Sequence, residues 1–290
     1  MPAAAFTKSL RSAVPVLMAA ASAAFQPAVL AQDAAQVRQV REALYLDTSV
    51  FPVTYYPYLG AGVPSGFGAS WGDVSAGVSY AGRDNVRREA DGALSLTAGF
   101  GDPVELLALE LTLNVLSMRN FGSNLNYDLK LHRMLYRSES SYVSASIGRN
   151  NVACKGRDAC NSTVGPNGLA ADTPSDYGAL SLLKRIRSPF SEATLPLKTT
   201  VGLGNGYFNN RLGNTSPDGR KWFGDVGVQV HPQIGLSMGL SGIGYNAGAS
   251  IVPVRRYPII VNLLGVDLSN RTAAGRNHVF SVHWVHDFTD

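Results

Sequence analysis

The sequence predicts an all-β chain: a transmembrane antiparallel up-and-down β-barrel of about twelve strands, preceded by a short N-terminal periplasmic tail or plug. Three observations carry that prediction. From about residue 67 to the C-terminus, apolar and polar residues alternate with a period of two. The polar members of the alternation are mostly Ser, Thr, Gly and Asn, with few charges. The connections between runs are long and polar at one set of positions and tight at the other.

Composition sets the same frame. Of 290 residues, 45% are apolar and only 16% are charged, against about 25% charged in ordinary soluble domains. With 30 glycines, 12 tyrosines and 11 phenylalanines, the chain suits many strands and turns better than packed helices.

The first residues read as a secretory signal. Lys8 and Arg11 form a positive region, an apolar stretch runs over 13–25, and Val29-Leu30-Ala31 precedes a cut ahead of Gln32. A membrane anchor needs about 18–20 apolar residues, and this stretch is shorter and contains Pro15. Residues 1–31 are therefore expected to be a cleaved signal peptide. Without them, 23 basic residues face 21 acidic ones, a net charge of +2. The basic pI of about 9.1 thus gives no reason to expect a nucleic-acid partner, and no Lys/Arg run with interleaved aromatics occurs.

Residues 32–65 differ from the rest and are expected to form the tail or plug. Val37, Val40, Ala43 and Leu44 stand at helical spacing. Beyond them Phe51-Pro52, Tyr56-Pro57, Gly60 and Gly62-Val63-Pro64 break any regular structure. If the segment folds back into the barrel, Tyr55, Tyr56 and Tyr58 would pack against small wall residues.

Residues 66–290 are expected to form the barrel. Alternating runs cover 74–80, 94–100, 107–115, 125–131, 143–147, 195–203, 226–230, 234–240, 245–251 and 280–288. Successive strand side chains point to opposite faces, so each run has one oily and one polar face. Two further runs, 177–187 and 257–268, blur the alternation with adjacent apolar pairs such as Leu182-Leu183 and Ile259-Ile260. Segments 82–92, 150–176, 209–221 and 269–276 are long and polar, whereas 101–103, 231–232 and 255–256 are tight; 136–140 and 188–194 are intermediate. Every long one falls on the same side of the strand count, as in barrels with short periplasmic turns and long external loops. Trp71, Tyr80, Tyr136, Tyr142, Trp222, Tyr257 and Trp284 lie near strand ends and fit aromatic girdles. A soluble sandwich would need a polar face rich in Lys and Glu.

At the C-terminal run, Phe280, Val282, Trp284 and Phe288 alternate in a pattern similar to the terminal assembly signal of Gram-negative outer-membrane β-barrel proteins. In that pattern the aromatic residue comes last, whereas Thr289 and Asp290 follow Phe288 here. The resemblance implies export through the periplasm, residence in the outer membrane among its lipids, and insertion by the barrel-assembly machinery through the last strand.

The polar face supplies the functional candidates. Twelve strands enclose more space than the eight that side chains just fill. Inward positions such as Ser75, Gly77, Ser144, Gly202, Gly239 and Ser250 are small, leaving room for water or a plug. The charged or titratable lumen candidates are Glu110, Asp128, Lys130, His132, Lys198, Asp225, His231, His283 and Asp287. Both signs occur, so no strong ion selectivity follows.

The expected function is a passive channel for small hydrophilic solutes. The alternatives are a structural or surface-recognition barrel and, third, an outer-membrane hydrolase. For recognition, the 150–176 loop is expected to be stiffened by a Cys154–Cys160 disulfide, the usual fate of such a pair in an exported protein. For a hydrolase, Ser281, His283 and Asp287 share one strand face, but side chains two apart point in parallel and are expected not to pair. No catalytic, cofactor or metal residues are expected, since no second Cys or His pair stands at zinc-site spacing.

Overall fold

The computed structural model describes residues 55–83, 85, 89–119, 121–122, 125–155, 174–187, 194–209, 219–242, 244–272 and 275–288, without the side chains of 154 and 155. The expected signal peptide, the tail up to residue 54 and the Cys154–Cys160 bridge lie outside these residues.

Twelve strands form one closed sheet. They are β1 (Asp73–Ala81), β2 (Asp91–Gly101), β3 (Ala108–Val115), β4 (Leu125–Arg137), β5 (Ser141–Lys155), β6 (Ser175–Arg187), β7 (Thr194–Gly204), β8 (Lys221–His231), β9 (Ile234–Leu240), β10 (Tyr245–Ile251), β11 (Ile259–Val266) and β12 (Asn277–Asp287). Each pairs antiparallel with its neighbours in the chain, and β1 closes on β12 from Asp73↔Asp287 to Ala81↔Val279. Closure leaves no sheet edge, which is the condition for a sheet to sit in hydrocarbon. The two ambiguous runs become β6 and β11, where the apolar pairs do not disturb the register.

The faces sort as the alternation requires. In β1, Asp73, Ser75 and Gly77 are buried inward while Val78 and Tyr80 are exposed. Around the exterior, Ile147 is 64% exposed and Met238 63%, with Leu131, Val201 and Leu263 alongside. Each such side chain in water forgoes about 1.5–3 kcal/mol of burial. A continuous belt of them is therefore a lipid-facing surface.

One end of the barrel carries the short turns and receives the chain from residue 70; call it the turn end. The intermediate connection 138–140 belongs there. Trp71, Tyr80, Tyr136, Trp222, Tyr257 and Trp284 are exposed. Tyr142 departs from the girdle expectation: it points inward and is 2% exposed, because it precedes outward-facing Val143 on β5.

Residues 55–70 run inside the barrel. The Tyr55 N–H donates to Arg255 O (2.8 Å) at the turn end. The chain climbs past β8, β9 and β10, turns over at Gly62-Val63-Pro64, descends past β6, β5 and β4, and joins β1. Gly62 has φ +77, a conformation other residues adopt at a cost. At the summit Val63 packs on Tyr177, Phe208 and Phe223. Near the turn end Tyr56, Leu59 and Phe67 from both limbs meet Met134, Tyr142 and Leu183. The segment continues five residues beyond the expected boundary at 65/66, because Gly66 and Gly68 let its backbone lie against the wall.

Candidate functional site

The site is the lumen wall where it touches the internal segment. Pro57, Pro64 and four glycines between 60 and 68 keep residues 55–70 from pairing with themselves. Their buried N–H and C=O groups must then find partners elsewhere, and inward side chains of the strands supply them. Four N–H groups donate to the wall: Tyr58 to Ser250 Oγ (2.8 Å), Ala61 to Asp225 Oδ2 (3.0 Å), Gly66 to Ser181 Oγ (2.8 Å) and Ala69 to Glu110 Oε2 (2.7 Å). Four carbonyls accept from Ser237 Oγ (Gly60, 2.7 Å), Asn246 Nδ2 (Ala61, 2.9 Å), Ser146 Oγ (Ser65, 2.9 Å) and Ser144 Oγ (Gly66, 2.8 Å). Ser144 Oγ is equally close to Arg133 O, so its single hydrogen serves one of the two at a time. The ninth contact joins His132 Nε2 to Ala69 O (2.9 Å), which assigns the proton to Nε2.

Small residues of the wall make room for this backbone. A Cβ on Gly227 would lie 2.2 Å from Leu59 O, and one on Gly99 would lie 2.3 Å from Ser70 O. Conversely, a Cβ on Gly66 would lie 2.1 Å from Ser144 O.

Two ion pairs sit behind these contacts. Lys130 Nζ is 2.9 Å from Glu110 Oε1, while the other carboxylate oxygen takes the Ala69 N–H. Lys198 Nζ is 3.3 Å from Asp225 Oδ2, the same oxygen that takes the Ala61 N–H, and it also lies 5.5 Å over the Tyr58 ring. Asp225 Oδ1 and Gln229 Oε1 are buried without a hydrogen-bond partner, each at a typical cost of about 1–3 kcal/mol. A cavity of about 10 Å³ between Tyr58, Gly60, Ser237 and Asn262 holds one water at most.

The short 3₁₀ helix Gly206–Asn209 folds inward at the loop end, and Phe208 stacks on Phe223 at 4.6 Å above Val63. Burial, with the Asp267 charge adding to it, pushes the Tyr207 phenol up to about 12, so it stays neutral there.

Among the expected lumen residues, the structure brings Glu110, Lys130, His132, Lys198 and Asp225 onto the internal segment. Asp128 lies nearer the loop end at a bulge of β4, accepting from Asn114 Nδ2 (2.7 Å) and the Asn151 N–H (2.6 Å). His283 is buried against Gly77, on β12, three strands round the closed sheet from Glu110 on β3. Asp287 is half-buried at the turn end. His231 corrects the expectation: a bulge between Gln229 and His231 shifts it out of the inward series, and it is exposed, accepting from the Gln233 N–H (3.2 Å).

The pairing expectation for Ser281 is also corrected. His283 Nε2 is 3.0 Å from Ser281 Oγ, with Asn262 Nδ2 at 3.4 Å from the same oxygen. Both Ser281 and His283 are 1% exposed inside the barrel, so the hydroxyl faces no substrate path in this state. The expectation of no hydrolase rests in part on the absence of Gly-x-Ser-x-Gly, and that is corrected: the pattern occurs twice, at 68–72 and 235–239. Neither forms the strand-to-helix elbow that exposes a nucleophile. Ser70 Oγ donates to Asp73 Oδ2 (2.8 Å) and Ser237 Oγ to Gly60 O. Among the described residues no group of three or more His, Cys, Asp or Glu could hold a metal ion.

No family model matches the sequence, and no curated protein matches it. Among solved structures, several outer-membrane proteins show a distant similarity. An outer-membrane channel from Pseudomonas putida F1 is 13% identical, covers 84% of this chain and 100% of its own, and gives a TM-score of 0.38. The NanC porin is 8% identical over 74% of this chain and 98% of its own, with a TM-score of 0.41. Outer-membrane phospholipase A from Escherichia coli is 13% identical over 76% and 94%, with a TM-score of 0.39. These are likenesses of fold, and nothing those proteins do is carried to this chain by them.

Proposed function

We propose that this chain is an outer-membrane barrel that works as a gated passive conduit for small hydrophilic solutes, closed in this structure by its own residues 55–70. The observation that carries the reading is a mismatch between wall and occupant. The wall presents Ser, Thr, Asn and two ion pairs, while the occupant's side chains are largely Tyr, Leu, Ala, Val and Phe and most of its polar contacts are made through the backbone. A lumen filled for good would be served better by an apolar wall, since buried ion pairs are often no better than hydrophobic replacements of the same size. A wall of this composition suits a surface that is wet for part of its life. With Glu110, Asp128 and Asp225 facing Lys130 and Lys198, the open path carries both signs and selects weakly between ions.

The outer membrane is the compartment that fits the oily exterior and the aromatic end of β12, where Phe288 meets His286 edge-on and His286 stacks on Trp284. Delivery there by a cleaved signal and by the barrel-assembly machinery belongs to the same reading. A barrel with a structural or surface-recognition role is favoured by one observation, the filled lumen itself.

Planar-bilayer recording separates the two. The mature chain is expected to be closed or to open in brief events. Gly66→Leu, which drives a side chain into Ser144 O without altering the wall, and a form starting at residue 71 are both expected to conduct steadily. Silence from both, in protein with heat-modifiable mobility, rejects the conduit and leaves the structural role.

A further inference from the structure

The internal segment is held by a wall that reads main chain, and this has a consequence for what else the wall can hold. Nine of the wall's hydrogen bonds to the segment go to a backbone N–H or C=O, beside one between hydroxyls, Ser65 Oγ to Ser181 Oγ (3.1 Å). They come as donor and acceptor sets at Ala61, Gly66 and Ala69, where both groups of one residue are gripped. The acceptors for N–H are two carboxylates and two hydroxyls; the donors to C=O are hydroxyls, an amide and an imidazole. Such pairing of opposite polarity on one residue is the hydrogen-bond signature of an extended peptide. A sugar, whose hydroxyls both donate and accept, needs no such ordering.

Steric room points the same way. The wall lies against backbone at Gly227, Gly235 and Gly99, close enough that a Cβ there would meet Leu59 O, Tyr58 O or Ser70 O. The occupant in turn has Gly66 against Ser144 O and Gly68 against His132 and Lys130. The path therefore accepts a peptide of small residues, and charged or bulky side chains at those points collide with it.

The occupant also leaves the wall incompletely used. Asp225 Oδ1 and Gln229 Oε1, both on β8, are buried acceptors with no donor. A free peptide would bring these atoms one more amide or its terminal ammonium.

We propose that the lumen wall is a binding site for short extended peptides rich in glycine, alanine and serine, and that residues 55–70 occupy it as a built-in competitor. This rests on the gated-conduit reading, because a peptide reaches the wall only when the segment leaves it.

The test uses the full mature chain carrying Gly66→Leu, or Gly68→Leu as a second variant, with chymotrypsin cleavage at Phe67 showing that the segment has left the wall. The probe is a synthetic copy of residues 58–70, beside the same peptide N-methylated at the positions of Ala61, Gly66 and Ala69, which keeps the charge and removes three donors. A third copy carries esters in place of those three amides, which removes the same donors without added bulk, and is expected to bind as weakly as the N-methylated form. A neutral oligosaccharide of equal mass is the fourth probe. Two readouts are taken: block of single-channel current, and equilibrium binding of the fluorescent peptides to detergent-solubilised protein.

The unmodified peptide is expected to block and bind at least tenfold more tightly than its N-methylated form, and the sugar to do neither at the same concentration. Equal affinity for the unmodified peptide and either modified copy, or for the sugar, overturns the proposal while the conduit stands. No binding by a variant whose segment is open to chymotrypsin overturns it as well. If neither variant conducts, the conduit reading fails, and the binding measurement still decides whether the wall recognises peptide.

Discussion

The two limbs of the internal segment are held by the same kind of contact and yet with different strength. The descending limb, from Ser65 to Ser70, is gripped at Gly66 and Ala69 by β3, β4, β5 and β6, and it continues covalently into β1. Its carboxylate, Glu110, gives one oxygen to the Ala69 N–H and the other to Lys130. The ascending limb, from Tyr55 to Ala61, leans on β8, β9 and β10. Its carboxylate, Asp225, asks one oxygen to serve both the Ala61 N–H and Lys198 and leaves the other bare. The 10 Å³ cavity lies beside this limb too. His132 Nδ1 beside the descending limb is bare as well, so the difference rests on the carboxylates, the cavity and the covalent tie to β1, which leave the ascending limb the more loosely held. The ascending limb is therefore where the lumen begins to open, with the descending limb as the hinge side.

The most direct way to break this comparison is to evict each limb alone. Gly66→Leu pushes the descending limb off Ser144 O, and the whole segment is expected to leave, giving a steady open conductance. Gly227→Val, whose Cβ would sit 2.2 Å from Leu59 O, evicts only the ascending limb. It is expected to give a flickering, partial conductance. Steady full opening from Gly227→Val and flicker from Gly66→Leu would reverse the order of the limbs.

Next in size is the loss of a carboxylate charge. Glu110→Gln leaves Lys130, 2% exposed, as a buried cation without its partner, a change that typically costs about 3–5 kcal/mol. It is expected to lower the denaturant midpoint of the barrel in detergent. Asp225→Asn does the same to Lys198, but that ammonium keeps the Tyr58 ring face at 5.5 Å, a contact worth up to about 2 kcal/mol when desolvated. Its loss should come out smaller by about 1–2 kcal/mol. Equal losses at the two sites would mean that the aromatic ring does not compensate, and the two limbs would then be equally held.

Much of this molecule was legible in its sequence. Period-two alternation placed all twelve strands, including the blurred pairs at Leu182-Leu183 and Ile259-Ile260, because a side chain's face depends only on its parity along the strand. Parity also set Glu110, Lys130, Lys198 and Asp225 on the polar face. It misled where a bulge changes the count, as at His231; at Tyr142 parity gives the inward position correctly, and the position of an aromatic near a strand end is what suggests a girdle. What the wall does was not legible. Serines and glycines on an inner face are equally compatible with water and with a peptide, and the choice depends on residues more than a hundred positions away, such as Gly60 and Ser237. The pairing of Ser281 with His283 escaped for a different reason: parallel side chains two apart still meet when one of them is a ring that leans over Gly77.

The smallest effect tests the comparison amide by amide. Ser250→Ala removes the acceptor of the Tyr58 N–H and Ser181→Ala removes that of the Gly66 N–H, with both hydroxyls at 2.8 Å. Each loss is worth about 1 kcal/mol in isolation. On the ascending limb, the weaker grip means that this amount shifts the local opening equilibrium itself, by about fivefold. Exchange of the Tyr58 and Ala61 amides should quicken by that factor in Ser250→Ala. On the descending limb, Ser181 also meets Ser65 Oγ (3.1 Å) and Thr200 Oγ1 (2.8 Å), so the vacated space is lined by hydroxyls that can turn toward Gly66. Exchange at Gly66 and Ala69 should then change less than twofold in Ser181→Ala. Because local opening must precede exchange of a buried amide, uniform acceleration across all four amides in either variant would show a segment that leaves the wall as one piece, with no limb ahead of the other.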